Sequence, residues 1–472
     1  MSFNQLSDQI KKRVFSNLEP EELLRLRRMD SSWKIIIDDL KIWKKVCSIG
    51  EIKPWKSQLI KLRYPSLNSD KYNDLKDKQW KIIFLLYKKW RQVFRVNKYE
   101  IVKFGVPQEN IPHELVEASD VKFSYDLLAD HFAMGMNCVG INCLFQRLGF
   151  THTFKFEENA DTDIRLDDDE INSHGFNYFI EIKIWMTGTG KVIYVMYFRN
   201  QILFWDVMRK TKIPTPRIFF QDIRKSLHLR RGTDEYFYII NTWGESLNVL
   251  RLEYVENEIT TREILIINYR DNDFFEFIDF YAEERKIMII HKTRNIENTL
   301  LLTTIVEISE SQLLPVNISA YDTHTAASKV INEIQEYKFI IPCMNVVIAH
   351  ATDNTRKFIV QISRFDERNK HIAKLKHYKI PRSIISHNFE ITSIALYYNH
   401  LFVATSANKL IIFKLKNLQH LSYLNFNYIK KRIMTIETTT NGFQITKHKN
   451  IIVILLASSS SQVSFLLCDL PF

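Results

Sequence analysis

The first hundred residues and the rest of the chain carry different hydrophobic patterns. Up to about residue 98, apolar residues recur three or four positions apart, which is typical of amphipathic helices. From about residue 100, short runs of β-branched and aromatic residues alternate with short polar turns, which is typical of strands. The pattern predicts an α+β multidomain chain, with a small all-α region in front of a large all-β domain.

Residues 5–46 read as three short helices. The first is predicted over roughly 7–18, with Ser7 as its N-cap. Pro20 stops that helix and opens the second, since proline is tolerated at a first helical position. Asp30 or Ser31 caps the third. Three helices of this size bury little surface by themselves, so some of their leucines are expected to face another protein. The alternative is an ordinary helical subdomain packed on the rest of the chain.

Residues 51–98 are predicted to be a helical connector. Pro54 and Pro65 interrupt it, and the polar stretch 68–78 reads as a loop or a fraying turn. Beyond it, bulky aromatic residues form a stripe at helical spacing, namely Trp80, Phe84, Tyr87, Trp90 and Phe94. The stripe predicts a helix packed on the next domain. The alternative is a helix lying on an anionic membrane, because basic residues flank the stripe.

The large domain contains units of one repeated shape. Segments 180–210, 390–417 and, less regularly, 272–308 each read as strand, turn, strand, turn and strand. Units of about 40–50 residues are typical of propeller blades, and the remaining chain accommodates roughly seven or eight of them. We therefore predict a seven- or eight-bladed β-propeller, with another large all-β fold as the alternative.

Positive charge is concentrated at the front. The chain has a net charge of +11, but residues 1–98 hold 23 Lys and Arg against 11 Asp and Glu. The remainder is close to neutral. A basic front can meet nucleic acid, an anionic membrane or an acidic protein.

Cysteine usage and apolar runs bear on the compartment. The five cysteines are scattered and odd in number, which suits a reducing compartment. The N-terminus lacks the apolar core of a signal peptide, and no run is long enough to span a membrane. We expect the protein in the cytoplasm, the nucleus or both, with an organelle surface as a further possibility.

Candidate chemistry is sparse. Thr187–Lys191 (TGTGK) lacks the first glycine and the Ser or Thr of a phosphate loop, so a hairpin turn is favoured. Cys138 and Cys143, with His131 nearby, lack paired metal-ligand spacing. The acidic run 167–170 lacks the spacing of a calcium loop. We expect no enzyme activity, no cofactor and no metal site.

The front stretch resembles an F-box. The family pattern of an opening leucine, an apolar first helix, a proline, a leucine-rich second helix and a later tryptophan is matched by Leu6, Ile10, Val14, Leu18, Pro20, Leu23, Leu24, Leu26 and Trp33, followed by Ile42 with Trp43. Ser7 stands where the family has proline, and Met29–Asp30 where it has Val–Cys. The match covers about forty of 472 residues.

The resemblance implies that the front binds the Skp-type adaptor of a cullin-RING (SCF) ubiquitin ligase. It implies an F-box over 1–50, a helical linker over 51–98 and a partner-binding domain over 99–472. The adaptor contacts or their scaffold would come from the residues at the matching places, Leu6, Ser7, Ile10, Val14, Leu18, Pro20, Leu23, Leu24, Leu26 and Trp33.

The large domain would hold the substrate. The end of its first unit, Phe204–Val207 (FWDV), resembles the signature of WD-repeat blades. Relatives of this kind read phosphorylated peptides with arginines, and the most basic loop-like stretch here contains Arg224, Lys225, Arg230 and Arg231. The predicted function is that of an SCF substrate adaptor, with a protein substrate, phosphorylated or not, and no nucleic acid partner. The alternative is an F-box protein with a structural or organelle-associated role, for instance at the mitochondrial surface, without ubiquitin transfer.

Overall fold

The computed structural model describes the helical front almost continuously and the large domain mainly through its strands. The described ranges are 5–49, 52–64, 67, 69–90, 99–105, 123–128, 131–136, 144–147, 179–198, 201–209, 211–214, 227–233, 235–243, 245–270, 274–283, 285–294, 299–309, 314–320, 325–329, 338–344, 346–352, 358–366, 371–372, 376–379, 391–397, 400–415, 431–436, 442–448, 451–457 and 462–469.

Six α-helices are described in the front region. They are α1 (Asp8–Phe15), α2 (Pro20–Met29), α3 (Ser31–Asp39), α4 (Trp43–Ser48), α5 (Lys56–Arg63) and α6 (Asp77–Trp90). Short 3₁₀ helices span Lys53–Trp55 and Ser69–Asp74. The second lies inside 68–78, where a loop or a fraying turn was predicted, and its Tyr72 side chain is buried, which gives this polar segment an apolar anchor.

The helix ends follow local chemistry, with one exception. Pro20 opens α2, where the Glu19 and Glu22 side chains form a capping box. The Asp30 carboxylate accepts from the amides of Ser32 and Trp33, as predicted for an N-cap. Ser7 occupies the predicted N-cap position of α1, but its exposed hydroxyl makes no capping bond, so the side-chain part of that prediction is wrong.

The described strands form seven sheets. In chain order they are β2 (Phe123–Leu128), β3 (His131–Met136) and β4 (Leu144–Arg147); β5 (Phe179–Met186), β6 (Val192–Phe198), β7 (Gln201–Asp206) and β8 (Thr211–Ile213); β9 (Leu227–Arg231), β10 (Phe237–Trp243), β11 (Ser246–Val255), β12 (Glu258–Asn268) and β16 (Val316–Ser319); β13 (Phe274–Glu283), β14 (Lys286–Arg294), β15 (Thr299–Glu307) and β17 (Thr325–Lys329); β18 (Lys338–Cys343), β19 (Val346–Thr352), β20 (Phe358–Asp366), β21 (His371–Ile372) and β22 (Lys376–Lys379); β23 (Ile391–Tyr397), β24 (His400–Thr405), β25 (Lys409–Lys414) and β26 (Lys431–Thr435); and β27 (Gly442–His448), β28 (Ile451–Ala457), β29 (Gln462–Asp469) and β1 (Tyr99–Gly105).

The repeated shape predicted from sequence is present. Segments 180–210, 272–308 and 390–417 correspond to β5–β7, β13–β15 and β23–β25, and in each the three strands pair antiparallel with short turns between them. A small helical region followed by a large all-β domain is thus confirmed.

In the first six sheets, the strand that comes first in the chain lies at one edge, and in the last sheet β27 lies at an edge. We call these seven strands the inner strands: β2, β5, β9, β13, β18, β23 and β27. Each inner strand contacts the inner strand of the next sheet, and β27 contacts β2. The last sheet contains both ends of the domain, because β1 pairs along its whole length with β29.

The helical region has two cores. A small one lies among α1–α3 and contains Phe15, Leu23, Ile36 and Ile37. The other is continuous with the large domain. It joins Trp43 of α4, Leu59 and Ile60 of α5 and the aromatic residues of α6 to side chains of β13, β14, β18, β19 and β23–β26.

Candidate functional site

The three helices α1–α3, which we call the N-terminal module, pack around fully buried side chains. Phe15, Leu23 and Ile37 are at most 1% exposed, and the Trp33 ring lies 6.0 Å from the Phe15 ring between centroids. Leu23, one of the predicted adaptor-contact or scaffold residues, is therefore scaffold. Leu6, Leu18, Pro20, Leu24, Leu26 and Trp33 are partly buried, whereas Ser7 is exposed.

One face of α1 is apolar and uncovered. Ile10 is 50% exposed and Val14 39% exposed. The two residues are four positions apart, so they lie one turn apart on the same side of the helix. On the same helix Phe15 is fully buried, and Leu18, which follows the helix, is partly buried.

The other two helices also expose large apolar side chains. Met29 at the end of α2 and Ile35 in α3 are both 72% exposed. On α2, Met29 shares its side of the helix with the exposed Arg25, four positions earlier in the chain. Sequence periodicity did not single out Met29 or Ile35, because an exposed apolar residue and a buried one give the same signal.

The acidic side chains of the module have partners within the chain. Asp38 accepts two bonds of 2.8 Å from Arg27 and lies 3.5 Å from Lys81 of α6, while Asp39 pairs with Lys12. The Arg27 guanidinium lowers the pKa of Asp38, and the Lys12 ammonium lowers that of Asp39.

The basic side chains are in excess. Arg13, Arg25 and Arg28 are exposed and have no ion pair within the described part of the chain. The module thus exposes large apolar side chains on all three helices, together with arginines of α1 and α2 that have no ion pair among the described residues.

The module is fixed to the rest of the protein. Lys88 of α6 pairs with Glu21 of α2, and Leu24 and Ile42 pack against the shared core. On the other side of the connector, the Gln58 amide donates to the Pro342 carbonyl, and the Tyr72 hydroxyl donates to the Thr233 carbonyl over 3.2 Å. A partner on α1–α3 would therefore be held in a set position relative to the large domain.

The aromatic stripe of the connector is not on the surface. Trp80, Phe84, Tyr87 and Trp90 are at most 4% exposed and belong to the shared core, whereas Phe94 lies outside the described residues. The packed connector is confirmed for these four residues. The same burial contradicts the membrane-surface alternative, because a stripe inside the core cannot enter a bilayer.

The basic stretch of the large domain is not a loop where it is described. Arg230 and Arg231 lie in strand β9, so that expectation is wrong for both residues; Arg224 and Lys225 lie outside the described residues. Arg230 is 3.8 Å from a Glu181 oxygen and 3.7 Å from an Asp279 oxygen, and Arg231 lies 2.9 Å from Asp126. Strand pairing with β10 places both arginines among carboxylates of neighbouring inner strands. A role in substrate binding stays a prediction.

The TGTGK segment is the hairpin between β5 and β6, as predicted. Its Lys191 ammonium lies 3.0 Å from the Tyr254 hydroxyl and 2.8 Å from the Asn257 side-chain oxygen. This lysine joins two turns of neighbouring sheets.

Other candidate sites lie largely out of view. Cys138, Cys143 and the acidic run 167–170 are outside the described residues. Within the described ranges, no group of three or more His, Cys, Asp or Glu side chains is arranged to hold a metal ion. Among the described helices, none has both the length and the apolar character needed to cross a bilayer.

Comparisons with known proteins add little to this geometry. No family model matches the sequence, and no curated protein matches it either. Among solved structures, the chain is similar to the β-propeller domain of Myceliophteria thermophila Cps50 (Swd1), with 8% identity, a TM-score of 0.39 and coverage of 73% of this chain and 95% of that one. It is also similar to Saccharomyces cerevisiae Sqt1, with 9% identity, a TM-score of 0.37 and coverage of 75% and 97%.

A third similar structure is Drosophila Plexin A in complex with Semaphorin 1b, with 9% identity, a TM-score of 0.41 and coverage of 80% and 88%. All three TM-scores are below 0.5.

Proposed function

We propose that the protein is the substrate-recognition adaptor of an SCF-type ubiquitin ligase. In this proposal α1–α3 bind an acidic Skp-type adaptor, and through it a cullin-RING ligase. The observation that carries the proposal is the uncovered apolar pair Ile10 and Val14 on a module with unpaired arginines. Burying apolar side chains against a partner provides affinity, and the exposed arginines of the module suit an acidic surface.

We further propose that the large domain is a closed, seven-bladed β-propeller that binds a protein substrate. Seven sheets, inner strands whose contacts return to β2, and the pairing of β1 with β29 support it. When the first and last strands of a domain pair in one sheet, that sheet joins the start of the domain to its end, as closure of a propeller requires. In the proposal the protein acts in the cytoplasm or nucleus and contributes proximity, with no chemistry of its own.

Binding to a purified Skp-type adaptor tests the first part. In the full chain, Ile10→Glu combined with Val14→Glu should weaken the complex at least about tenfold, because two charges would be placed in an apolar contact. Both positions are exposed, so the fold should be kept, which circular dichroism can check. Leu23→Glu is unsuitable, because a charge at a fully buried position would unfold the module.

Met208→Glu provides the matched control. Met208 is 78% exposed and lies in the turn after β7, far along the chain from the module. The control should bind like the unmodified chain. The proposal is wrong if the unmodified chain does not bind the adaptor, or if the α1 double variant binds as well as the control.

Ligase and non-ligase roles differ in the next component. If the complex with the Skp-type adaptor also retains a cullin, a ligase role is supported. If the adaptor is retained without a cullin, the structural alternative, with or without an organelle, takes its place.

A further inference from the structure

The inner strands all have backbone N–H groups that find no acceptor within their own sheets. Each lies at the edge of its sheet, and an edge strand leaves alternate backbone N–H groups without a partner in that sheet. Buried donors without acceptors destabilise a fold, so these groups need acceptors from elsewhere.

Side chains of the preceding inner strand supply them. The Ser124 hydroxyl and the Asp126 carboxylate of β2 accept from the amides of Ile182 and Ile184 in β5, over 3.0 and 2.6 Å. These donors and acceptors are each two residues apart, so they lie on matching sides of the two strands.

Later sheets repeat the arrangement. The Glu181 carboxylate of β5 accepts from the Leu229 amide of β9 over 3.3 Å, and the Asp279 carboxylate of β13 accepts from the Ile341 amide of β18 over 2.7 Å. In each case the acceptor belongs to one sheet and the amide to the next sheet along the chain. The recurrence indicates that a hydrogen bond from a backbone amide to a side chain is a regular contact between successive inner strands.

Asp126 of the first sheet bonds to residues of both the second and the third sheet. Its carboxylate, only 2% exposed, also accepts from the Arg231 guanidinium of β9 over 2.9 Å. The same guanidinium reaches the carbonyls of Ile184 in β5 and Leu127 in β2, over 3.0 and 3.5 Å. Arg231 thus bridges from the third sheet to both preceding ones.

We infer that Asp126 and Arg231 form a latch that fastens the first, second and third sheets to each other through their inner strands. This inference is independent of any ligase role. It gives Arg231 a positioning function within the fold, where the sequence predicted contact with a substrate.

Hydrogen exchange measured peptide by peptide on the folded full chain tests the latch. Arg231→Ala should speed exchange in β2 and β5 on the order of tenfold or more, since it leaves a buried carboxylate without its counter-charge. Exchange in α1–α3 should not change. Asp126→Asn keeps the size of the side chain and an acceptor for Ile184 but loses the ion pair, so it provides a second, milder variant with the same pattern of change.

Arg209→Ala is the matched control. The Arg209 side chain is 55% exposed, and its guanidinium lies 3.9 Å from the Asp206 carboxylate, which is a longer contact than that between Arg231 and Asp126. It should leave exchange in β2 and β5 as it was. In the double variant Asp126→Ala, Arg231→Ala, the rise in exchange should be smaller than the sum of the rises in Asp126→Ala and in Arg231→Ala. Unchanged exchange in β2 and β5, an equal rise across all peptides, or additive effects would each overturn the latch.

Discussion

The N-terminal module and the connector show how one sequence pattern leads to two outcomes. Both α1 and α6 are amphipathic and carry lysines beside their apolar stripes. In α6 the stripe is buried in a core shared with the large domain, whereas in α1 Ile10 and Val14 stay half exposed. An apolar stripe therefore predicts that a helix will be covered, but whether the same chain or another protein covers it depends on tertiary structure.

The largest expected effect comes from the connector. Trp80→Ala should cost about 3–5 kcal/mol of the free energy of unfolding, because it opens a cavity in the shared core. The helices and the sheets should lose stability together, as followed by denaturant unfolding with helical and β-sheet signals recorded separately. Ile35→Ala, at a 72% exposed site, is the control and should change stability by less than about 0.5 kcal/mol. A loss confined to the helical signal would show that the two regions do not share a core.

Acidification should next distinguish the large domain, which covers the α6 stripe, from the N-terminal module. Burial lowers the pKa of His291, in β14, to about 3, and its ring nitrogens lie 2.9 Å from the Tyr269 and Thr304 hydroxyls. The unfolded chain therefore binds more protons here below about pH 6.5, and stability falls as the pH falls from 6.5 toward 3. At pH 5 the loss from this one group is about 2 kcal/mol.

The module should respond in a lower pH window. The Arg27 bond lowers the pKa of Asp38, so its contribution is present above about pH 4 and is lost only on further acidification. Denaturant unfolding at pH 7 and pH 5 checks this. His291→Gln should reduce the difference in the free energy of unfolding between pH 7 and pH 5, whereas Asp38→Asn should leave that difference unchanged. An undiminished difference in His291→Gln would contradict the assignment.

The smallest expected effect lies at the junction of the two regions. Lys41 follows α3 with a φ of 48°, in the left-handed region that favours glycine. Lys41→Gly should stabilise the protein by up to about 1 kcal/mol, because the side chain no longer crowds the backbone. Lys45→Gly, inside α4, should destabilise by a similar amount, since glycine is unfavourable within a helix. A higher melting temperature for the first variant and a lower one for the second would agree with this reading, and a lower one for both would contradict it.

Local chemistry made much of the fold predictable. Pro20 and Asp30 mark helix starts, and the β-branched and aromatic runs mark strands, because these signals act over a few residues. The sequence pattern does not predict strand β9, which is polar and contains a histidine and two arginines. Its arginines are stabilised by Asp126, Glu181 and Asp279, which lie far away in sequence, so no local pattern could reveal it.

The candidate site divides in the same way. Hydrophobic periodicity and capping are properties of neighbouring residues, so the sequence alone predicts the three short helices, the helical connector and the repeated three-strand units. The folded structure is needed to show which apolar side chains of α1–α3 remain uncovered, that the α6 stripe is internal, and that Arg231 fastens three sheets. Burial and ion pairing between distant residues depend on how the elements pack, and that packing is a property of the whole chain.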